Sequence, residues 1–498
     1  MSSIDEIRGL RIKKLELLEK GGMSPYPAES KRELSLADAV ESFDDLASPV
    51  GFGPREKSGA SKWISGRIMS VRGQGAIVFI TLNDGTGSFQ GLLKKNVLGD
   101  EKLNFFNAVV DIGDFIEIQG TFFKTNRGEK TIEAKDWRML SKSLRPLPEK
   151  WHGLQDVEER FRKRYLDALM SEDVKNRFIT RSKIVTELRK ILDEAGYLEV
   201  ETPALQPLYG GASAEPFVTH NNSLDMQMYL RISDELYLKR MLVAGFPKVY
   251  EIARDFRNEG IDMTHNPEFT MVEFYEAYSD AEKQMQFVEK IFKTLVKKIH
   301  NGEEIVYNEQ KIDFSKKFEV FSYFDLLKKY SSIKDPENID IKDLEKEAEK
   351  CGVVVSKGDS IAKLLDGIYK KMCRPKLVNP TFIIDYPREY LPLAKKNKNN
   401  PKFVEAFQLV IGGIELVKAF SELNDPIDQN ARFEEQEKNK KAGEADAQCK
   451  DEDFIEAMEY GMPPAGGVGI GIDRLVMFLT DTQNIKEVVF FPTMKPLR

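Results

Sequence analysis

Two separated segments constrain the fold of this chain more than any other part of its sequence. The first is FRNEGIDMTHNPEFTMVEFYEAY, from Phe256 to Tyr278, which reads as two antiparallel strands, 249–259 and 268–278, and the loop between them. The second is GVGIGIDRLVMF, from Gly467 to Phe478, which runs a glycine-rich strand into an arginine. Both patterns predict an antiparallel sheet in the second half of the chain.

Side chains alternate between the two faces of a strand, which divides the first segment into two sets of residues. Val272 and Phe274 point toward a core. The other face carries Arg257 and Glu259 on the first strand and Phe269, Met271, Glu273 and Tyr275 on the second. Charged groups are costly to bury unless they are paired or solvated. This face is therefore predicted to be the floor of an active site, with a surface sheet as the alternative.

Composition places the chain among ordinary globular proteins, with 41% hydrophobic and 31% charged residues. No apolar run approaches the ~18 residues that a membrane span needs, and the charged N-terminus has no signal-peptide core. A cytosolic protein without a membrane partner is therefore expected. The three cysteines lie far apart and form no CxxC pair, which argues against a disulfide framework or a zinc ribbon.

The charge is unevenly distributed along the 498 residues. The net charge of −7 argues weakly against a nucleic-acid partner. Residues 62–150, however, hold 14 Lys and Arg against 10 Asp and Glu, a balance of +4, so the rest of the chain carries −11. A mildly basic module on an acidic body is compatible with RNA binding by that module, and random unevenness is the alternative.

The pattern along the chain divides it into four parts. Residues 1–60 hold a helix over 4–20 and a segment rich in Gly, Pro and Ser that wraps the next domain. Residues 61–145 hold five short strands separated by turn signals, which suit a small barrel of OB type. A linker over 146–175 leads to a large domain over 176–498, with a helical insertion at about 280–375. The polar stretch from Glu435 to Lys450 is predicted to be a solvated helix or loop.

The polar residues of the sheet suit phosphate chemistry. A planar guanidinium can hold a phosphate and a carboxylate at once through parallel N–H donors. Arg257 and Arg474 are the candidates for this task. The glycines before Arg474 also occur in dinucleotide-binding loops, but no GxGxxG stands after a first strand and no P-loop motif is present.

The acidic residues predict the charge of the substrate. Glu235, Glu273 and Glu422, with Tyr275, would form an acidic pocket. Because a buried ammonium requires carboxylate partners, this pocket suits a cationic substrate.

These motifs resemble those of class II aminoacyl-tRNA synthetases, with Phe256–Tyr278 as motif two and Gly467–Phe478 as motif three. Four runs make the chain similar to the class II lysyl-tRNA synthetases over roughly residues 5–498: GGASA from Gly210, RISDELYLKR from Arg231, HNPEFTMVEFYEAY and SELNDPIDQ from Ser421. The resemblance implies an α+β protein, in which an N-terminal OB-fold β-barrel accompanies a class II catalytic domain built on an antiparallel sheet flanked by helices.

The resemblance also implies the activity. ATP would activate L-lysine to lysyl-adenylate with release of pyrophosphate, and the lysyl group would then move to the 3′ end of tRNA(Lys). Mg²⁺ would be the cofactor. The helix and strand over 178–203 resemble motif one, which builds the dimer interface in this class, so a homodimer is implied.

In that family, the residues equivalent to Arg257, Glu259 and Arg474 are catalytic. Arg257 would bridge the α-phosphate and the amino-acid carboxylate, and Arg474 would lie near the γ-phosphate. The other ATP-binding residues implied by the resemblance are Glu259, His265, Asn266, Phe269, which would stack on adenine, and Glu415.

The resemblance likewise implies the lysine and metal sites. Gly211 and Glu235 would hold the α-amino group, and Arg257 the carboxylate. The ε-ammonium would be held by Glu273, Tyr275 and Glu422. Glu415 and Glu422 would be the metal ligands.

Two positions depart from the family pattern. The family commonly has Glu where this chain has Gln408, and a neutral amide is a weaker Mg²⁺ ligand than a carboxylate. The family commonly has Asn where this chain has Lys418, which adds positive charge near a pocket for a cation. We expect lysine activation to survive with an altered metal dependence.

The barrel resembles the anticodon-binding domain of the family. By that resemblance Arg67, Phe79, Gln90 and Glu129 would read a U-rich anticodon, because unpaired bases stack on aromatic rings and polar groups read their edges. A core position in its strand is the alternative for Phe79.

Three other functions compete with lysine–tRNA ligation. An aspartyl or asparaginyl synthetase shares the layout, but aspartate needs a cationic pocket. A nonenzymatic RNA-binding paralogue is supported only by Gln408 and Lys418. A paralogue that transfers lysine to a protein would lack the barrel.

Overall fold

The computed structural model describes residues 3–47, 61–73, 75–148, 154–356, 359–441 and 449–497. The chain divides into two compact units, Met1–Gly153 and Leu154–Arg498. In the described ranges no helix is long and apolar enough to cross a membrane.

The first unit begins with a capped helix, α1, over Ile4–Lys20. The Ser3 hydroxyl accepts a hydrogen bond from the Glu6 amide, and the Glu6 carboxylate accepts one from the Ser3 amide. This capping box supplies partners for two backbone amides at the helix start that have none within the helix. The helix predicted over 4–20 is confirmed. The other helices of this unit are α2 (Leu36–Glu41), α3 (Phe43–Leu46), α4 (Lys95–Leu98) and α5 (Asp100–Val109).

Five strands close into a barrel in the first unit. They are β1 (Ser61–Arg72), β2 (Ile77–Asn83), β3 (Ser88–Lys94), β4 (Phe115–Lys124) and β5 (Lys130–Ser141). Their order around the barrel is β1-β2-β3-β5-β4, and β1 pairs with β4 to complete it. Val78, Ile80 and Leu82 alternate along β2 into the barrel core, as the period of a strand requires. The predicted OB-type barrel is confirmed.

Eleven α-helices are described in the second unit, numbered onward from the first. They are α6 (Val157–Arg162), α7 (Arg164–Met170), α8 (Glu172–Glu194), α9 (Glu235–Val243), α10 (Ala281–His300), α11 (Tyr323–Tyr330), α12 (Ile341–Lys350), α13 (Ile361–Ile368), α14 (Pro426–Lys441), α15 (Glu452–Glu459) and α16 (Ile472–Leu479). Helix α14 covers the first part of the polar stretch predicted over Glu435–Lys450, and residues 442–448 lie outside the described residues.

Thirteen strands are described in the second unit. They are β6 (Leu198–Glu199), β7 (Leu205–Gln206), β8 (Val218–Asn221), β9 (Met226–Leu230), β10 (Lys248–Phe256), β11 (Glu268–Ala277), β12 (Glu304–Tyr307), β13 (Gln310–Asp313), β14 (Glu319–Ser322), β15 (Thr381–Ile384), β16 (Ala406–Ile411), β17 (Ile414–Ser421) and β18 (Ala465–Gly471).

Eight of these strands form one sheet in the order β14-β15-β16-β17-β18-β11-β10-β6. The five pairings from β15 to β10 are antiparallel, and only the outermost strands β14 and β6 pair in parallel. Val272 and Phe274 are buried with helices α8, α10 and α16 on one face of the sheet. Helices α9, α11, α13 and α15 contribute to the core of the other face, where Tyr275 lies. The predicted α+β fold with a mainly antiparallel central sheet is confirmed.

The range expected to be a helical insertion, about 280–375, also contains strands. β12 and β13 form a hairpin whose turn residues, Asn308 and Glu309, have positive φ. β14 joins the edge of the central sheet beside β15. Helices α10 to α13 lie in this range, and the strands are an addition that the sequence analysis did not predict, because a short hairpin depends on its turn and not on a long apolar period.

Candidate active site

One cavity of about 360 Å³ lies against the face of the central sheet that is opposite Val272 and Phe274. Strands β11, β17 and β18 contribute to its wall, together with the loop between β10 and β11. It brings together most of the residues predicted for the site. These are Gly211, Glu235, Arg257, Glu259, His265, Asn266, Phe269, Glu273, Tyr275, Glu415 and Arg474. Gln408 and Glu422 do not line it.

The glycine-rich strand β18 makes room for the side chains of its neighbour β11. Gly467 pairs with Tyr275, and Gly469 pairs with Glu273. A Cβ atom at Gly467 would lie 2.5 Å from Cε1 of Tyr275 and would also collide with the Glu422 carboxylate. Gly467 is therefore required by close approach, and not by a nucleotide-binding loop.

Arg257 lies after a strand and not on it. β10 ends at Phe256, so Arg257 and Glu259 belong to the following loop, which corrects the prediction that they share a strand face. Two nitrogens of the Arg257 guanidinium lie 3.4 Å from the Ile232 carbonyl oxygen. The guanidinium also lies 4.9 Å from the centre of the Phe269 ring, within range of a cation–π interaction. These contacts direct the Arg257 side chain into the cavity, while Glu259 is exposed at its edge.

A chain of hydrogen bonds orders the second arginine. Nη2 of Arg474 lies 2.9 Å from Nε2 of His265, and Nδ1 of His265 lies 2.8 Å from Oδ2 of Asp262. Since an arginine can only donate, Nε2 accepts and Nδ1 carries the proton that is donated to Asp262. Partial burial acts to raise the pKa of Asp262, but hydrogen bonds from Thr264 and His265 outweigh it and lower the pKa to about 2. His265 is thus held by its neighbours in the orientation that supports Arg474.

Asp473 is a buried residue that the sequence analysis did not select. Its carboxylate accepts a hydrogen bond from the Thr270 amide at 2.7 Å and one from Nη1 of Arg181 at 2.6 Å. It therefore joins the start of α16 to β11 and α8, and fixes the backbone from which Arg474 projects. A charged residue within the apolar run GIDRLVMF was the signal for this role.

A buried lysine neutralises part of the predicted acidic pocket. Nζ of Lys239 lies 2.6 Å from Glu235 and 2.5 Å from Glu422. Burial acts to lower the pKa of Lys239, but the two carboxylates outweigh it and raise the pKa. Glu422 is buried in this ion pair and is not among the residues that line the cavity, although its carboxylate lies beside Gly467, which does line it. The contacts of Glu422 with the substrate and a metal ion stay predictions. The spacing of Glu235 and Lys239, one helical turn apart, was the sequence signal for this pair.

We call the part of the cavity lined by Glu235 and Glu273 its acidic end. Glu273 is the carboxylate there that no described cation neutralises. Its oxygens accept hydrogen bonds from the Tyr275 hydroxyl at 2.9 Å and the Ser233 hydroxyl at 3.3 Å. Burial, followed by the nearby charges of Glu235 and Asp255, raises the pKa of Glu273 to about 8.

Gly211 closes this end of the cavity in a conformation that suits glycine. Its φ is +85°, and a Cβ atom would lie 2.9 Å from the Ser233 hydroxyl oxygen. Any other residue would therefore strain the backbone and displace Ser233 from Glu273.

Lys418 and Gln408 lie opposite each other on β17 and β16. The Lys418 side chain stands in the cavity and is exposed to solvent there. Desolvation by the surrounding protein atoms lowers its pKa, although the charges of Glu415 and Glu235 oppose this change. Oε1 of Gln408 accepts a hydrogen bond from the Tyr386 hydroxyl at 2.8 Å. Of the three side chains considered for a metal ion, Glu415 alone reaches the cavity and is not held by a described cation.

Both units of the chain match known protein families. A model of the tRNA synthetases class II (D, K and N) matches residues 156–495, and a model of the OB-fold nucleic acid binding domain matches residues 62–140. The chain belongs to the class II tRNA synthetases.

The synthetase is similar to curated lysine–tRNA ligases over its whole length. It is 44% identical to the one from Syntrophomonas wolfei, with 99% of this chain and 98% of the relative covered. It is 44% identical to the one from Carboxydothermus hydrogenoformans, with 99% of each chain covered. The one from Aquifex aeolicus is 49% identical over 87% of this chain and 73% of the relative. The predicted resemblance is confirmed.

The barrel of the synthetase presents the predicted anticodon residues on neighbouring strands. Phe79 is half-buried, whereas Val78 and Ile80 fill the core, so the alternative of a core position is excluded for Phe79. Gln90 pairs with Thr81, two residues from Phe79 on the same face. Arg67 lies 4.2 Å from the Phe115 ring and donates to the Gly113 carbonyl, and Glu129 is exposed just before β5.

Proposed function

We propose that this chain acts as a lysine–tRNA ligase. It activates L-lysine with ATP to lysyl-adenylate and pyrophosphate, and it transfers the lysyl group to the 3′ end of tRNA(Lys). The observation that carries the proposal is one cavity with arginines at one end and an unneutralised buried glutamate, Glu273, at the other. An anionic nucleotide and a cationic amino acid can therefore bind side by side.

At the cationic end, Arg257 would hold the ATP α-phosphate and the lysine carboxylate. A carboxylate oxygen attacks phosphorus, the bond to the β-phosphate oxygen breaks, and pyrophosphate leaves. Negative charge develops on the α-phosphate oxygens, where a fixed guanidinium stabilises it. Arg474, oriented by His265, would hold the γ-phosphate, Phe269 would stack on adenine, and Glu259 and Asn266 would position the nucleotide from the loop.

At the acidic end, the backbone at Gly211 and the carboxylate of Glu235 would hold the α-amino group. Glu273 and the Tyr275 hydroxyl would hold the ε-ammonium. Glu422 would act through Lys239, which it shares with Glu235. This arrangement opposes aspartate as the substrate, because the side-chain carboxylate of aspartate would lie against Glu273.

Mg²⁺ is the cofactor that this chemistry requires, since it neutralises phosphate charge. Glu415 would hold it together with the phosphate oxygens of ATP, which matches the preference of Mg²⁺ for one or two carboxylates with phosphates. Gln408 is held by Tyr386, so its amide is not free to replace a carboxylate ligand.

ATP–pyrophosphate exchange with each of the twenty amino acids in turn, in Mg²⁺ buffer, tests the activation step. We expect exchange with lysine alone. Exchange with aspartate or asparagine would show that the acidic end was misassigned. Folded protein that gives no exchange with any amino acid would support the nonenzymatic RNA-binding paralogue.

The open face of the barrel supports tRNA recognition by Arg67, Phe79, Gln90 and Glu129. We expect Phe79→Ala to reduce kcat/KM for tRNA(Lys) by about 5–100-fold, because one base–aromatic stack contributes ~1–3 kcal/mol. ATP–pyrophosphate exchange should be unchanged. Ile77→Ala, which removes an exposed apolar side chain from the same strand, is the matched control. Equal losses in exchange and charging would contradict the assignment.

Two further properties are proposed from the family alone. A homodimer would form through the region of α8 and β6, which sedimentation of the purified chain would test. Location in the cytoplasm, where tRNA is charged, would be tested by fractionation of cells.

A further inference from the structure

Three carboxylates meet beneath the acidic end of the cavity. One oxygen from each of Asp234, Asp255 and Glu273 lies within 4.8 Å of the others, and all three residues are buried. Glu273 lines the cavity, whereas Asp234 and Asp255 lie behind it. We call these three residues the carboxylate cluster.

Two members of the carboxylate cluster receive no hydrogen bond from outside the cluster in the described part of the chain. Within the cluster, a hydrogen bond between the Asp234 and Glu273 carboxyl groups acts to lower the pKa of Glu273. Asp234 precedes α9, yet its side chain does not cap the helix, and neither of its oxygens accepts a hydrogen bond from outside the cluster. Neither oxygen of Asp255 accepts one either. Both side chains are completely buried, where an unpartnered polar group is costly and calls for an explanation.

The nearby cation does not balance the charge of the cluster. Nη1 of Arg231 is bound to Glu251 at 2.7 Å, and Nε of the same guanidinium lies 3.4 Å from Asp255. One guanidinium thus faces Glu251 and Asp255, and its charge also acts on Asp234. Glu235 adds a further negative charge near Glu273, and Arg257 is the other cation that acts on Asp255.

Neighbouring buried carboxylates cannot all be ionised, so the empty cluster must retain protons. Burial, followed by the charges of Glu273 and Asp255, raises the pKa of Asp234 well above its usual range. Burial raises the pKa of Asp255 to about 6, against the opposing charge of Arg231. The Glu273 carboxyl group, with a pKa of about 8, is therefore largely protonated at neutral pH.

We propose that the carboxylate cluster exchanges a bound proton for the side-chain ammonium of the substrate. The ammonium of lysine enters beside Glu273, the O–H bond of the Glu273 carboxyl group breaks, and the proton leaves to solvent. The carboxylate and the ammonium then form an ion pair. Asp234 and Asp255 do not touch the substrate. They are positioning residues that set how tightly Glu273 holds its proton, and hence how strongly the site selects a cation.

An organic ammonium suits the cluster better than a divalent metal ion. Mg²⁺ takes six ligands and Ca²⁺ six to eight, whereas only three oxygens meet here, away from water and beside Arg231. An ammonium is satisfied by fewer acceptors and reaches Glu273 from the cavity.

The test is calorimetric titration of the full chain with L-lysine, without ATP, in buffers of different ionisation enthalpy at pH 7. We expect release of about one proton per lysine bound, and an affinity that rises up to about tenfold per pH unit from pH 6 until it levels off near pH 8. Lysine that binds and supports ATP–pyrophosphate exchange without releasing a proton would overturn the inference. The inference rests on the proposed function, and absence of lysine-dependent exchange would instead refute that function.

Substitutions in the residues behind Glu273 distinguish a positioning role from a merely structural one. Asp255→Asn removes a negative charge that raises the pKa of Glu273, so it should reduce the number of protons released and move the pH midpoint of lysine affinity downward. Asp255→Glu should restore the wild-type pH profile. Glu268→Gln removes an exposed carboxylate from the same strand and should change neither quantity. A folded Asp255→Asn variant that keeps the wild-type proton count would overturn the proposal.

A titration with MnCl₂ or CaCl₂ in the absence of lysine completes the test. We expect no saturable binding that competes with lysine. Competitive binding of either metal alone, lost in Asp255→Asn, would overturn the proposal in favour of a metal site.

Discussion

The two ends of the cavity are built in opposite ways. At the cationic end, Arg257 and Arg474 are oriented by neutral partners, the Ile232 carbonyl and the His265 ring. Their charges remain free for an anionic ligand. At the acidic end, Glu235 is already paired with Lys239, and Glu273 lies against two further carboxylates.

This difference shows how one cavity can prepare for two substrates of opposite charge. The arginines remain charged in the absence of ATP because guanidinium groups do not lose their proton in proteins. The carboxylates hold protons in the absence of lysine because they are buried together. We therefore expect nucleotide binding to depend on geometry and amino-acid binding to depend on pH.

The largest effect is expected at the cationic end. Arg257→Ala should reduce the rate of lysine-dependent ATP–pyrophosphate exchange by about 10²–10³-fold, the loss typical of one preorganised donor to a developing negative charge. The rate at saturating ATP and lysine should fall, and not only the affinity for either substrate.

Arg254→Ala provides the matched control for this change. Arg254 lies on β10, three residues before Arg257, and pairs with Glu268 on the exposed side of the strand. We expect its exchange rate to stay within about twofold of wild type, since exposed ion pairs contribute little. Equal losses in the two variants would indicate damage to the strand and not to the site.

The second effect concerns the acidic end. Glu273→Gln should raise the KM for lysine by about 10–100-fold, because truncating one partner of a buried charged pair costs ~2–5 kcal/mol and the amide retains part of the interaction. The KM for ATP should change by less than about twofold. Glu268→Gln on the same strand is the control. A parallel rise in both KM values would argue that Glu273 supports the sheet and not the substrate.

The cationic end was more predictable from the sequence than the acidic end. Helix α1 coincides with its predicted range, and the five barrel strands lie within the predicted range 61–145, because caps, turns and alternation are local signals. Arg257, His265, Phe269 and Arg474 come from two short motifs, and the cavity brings them together as predicted. The exception is the position of Arg257, since the end of β10 depends on its pairing with β11.

The acidic end depends on contacts between distant segments, which no local pattern reveals. The sequence shows that position 422 is a carboxylate. It does not show that Glu422 forms an ion pair with Lys239, which lies about 180 positions earlier. Asp234 and Asp255 resemble ordinary polar residues at a helix start and in a strand. Only the meeting of α9 with β10 and β11 makes them a buried cluster with Glu273.

A smaller effect is expected where the two ends meet, at Lys418. Its ammonium has no ion pair in the described part of the chain and stands in the cavity near Glu415 and Arg257. We expect it to bind the carboxylate of lysine beside Arg257. Lys418→Met should weaken binding of L-lysine about fivefold, the value of ~1 kcal/mol for a solvated ion pair.

L-Lysinamide, which lacks the carboxylate, identifies the partner of Lys418. It should bind wild type and Lys418→Met equally in calorimetric titrations. A variant that loses affinity for ATP but not for lysine would place Lys418 at the phosphates instead.

The Mg²⁺ dependence of exchange in Gln408→Glu, alone and with Lys418→Asn, would show whether Lys418 compensates for a weaker metal site. No change in that dependence would refute the predicted effect of Gln408.

The smallest effect is on stability, and it follows from the sign of the pKa shifts. The pKa of Glu273, about 8, and that of Asp255, about 6, lie above the values of about 4 expected for the unfolded chain. Between these limits the folded protein binds more protons than the unfolded chain, so its stability falls as the pH rises. The Tm of lysine-free protein should therefore decrease by about 2–4 °C more than that of Glu273→Gln between pH 6 and pH 8.5. Saturating lysine should remove the difference in slope, because the ammonium replaces the proton. Identical slopes for wild type and Glu273→Gln, measured by scanning calorimetry without lysine, would mean that the acidic end is as fixed in charge as the cationic end.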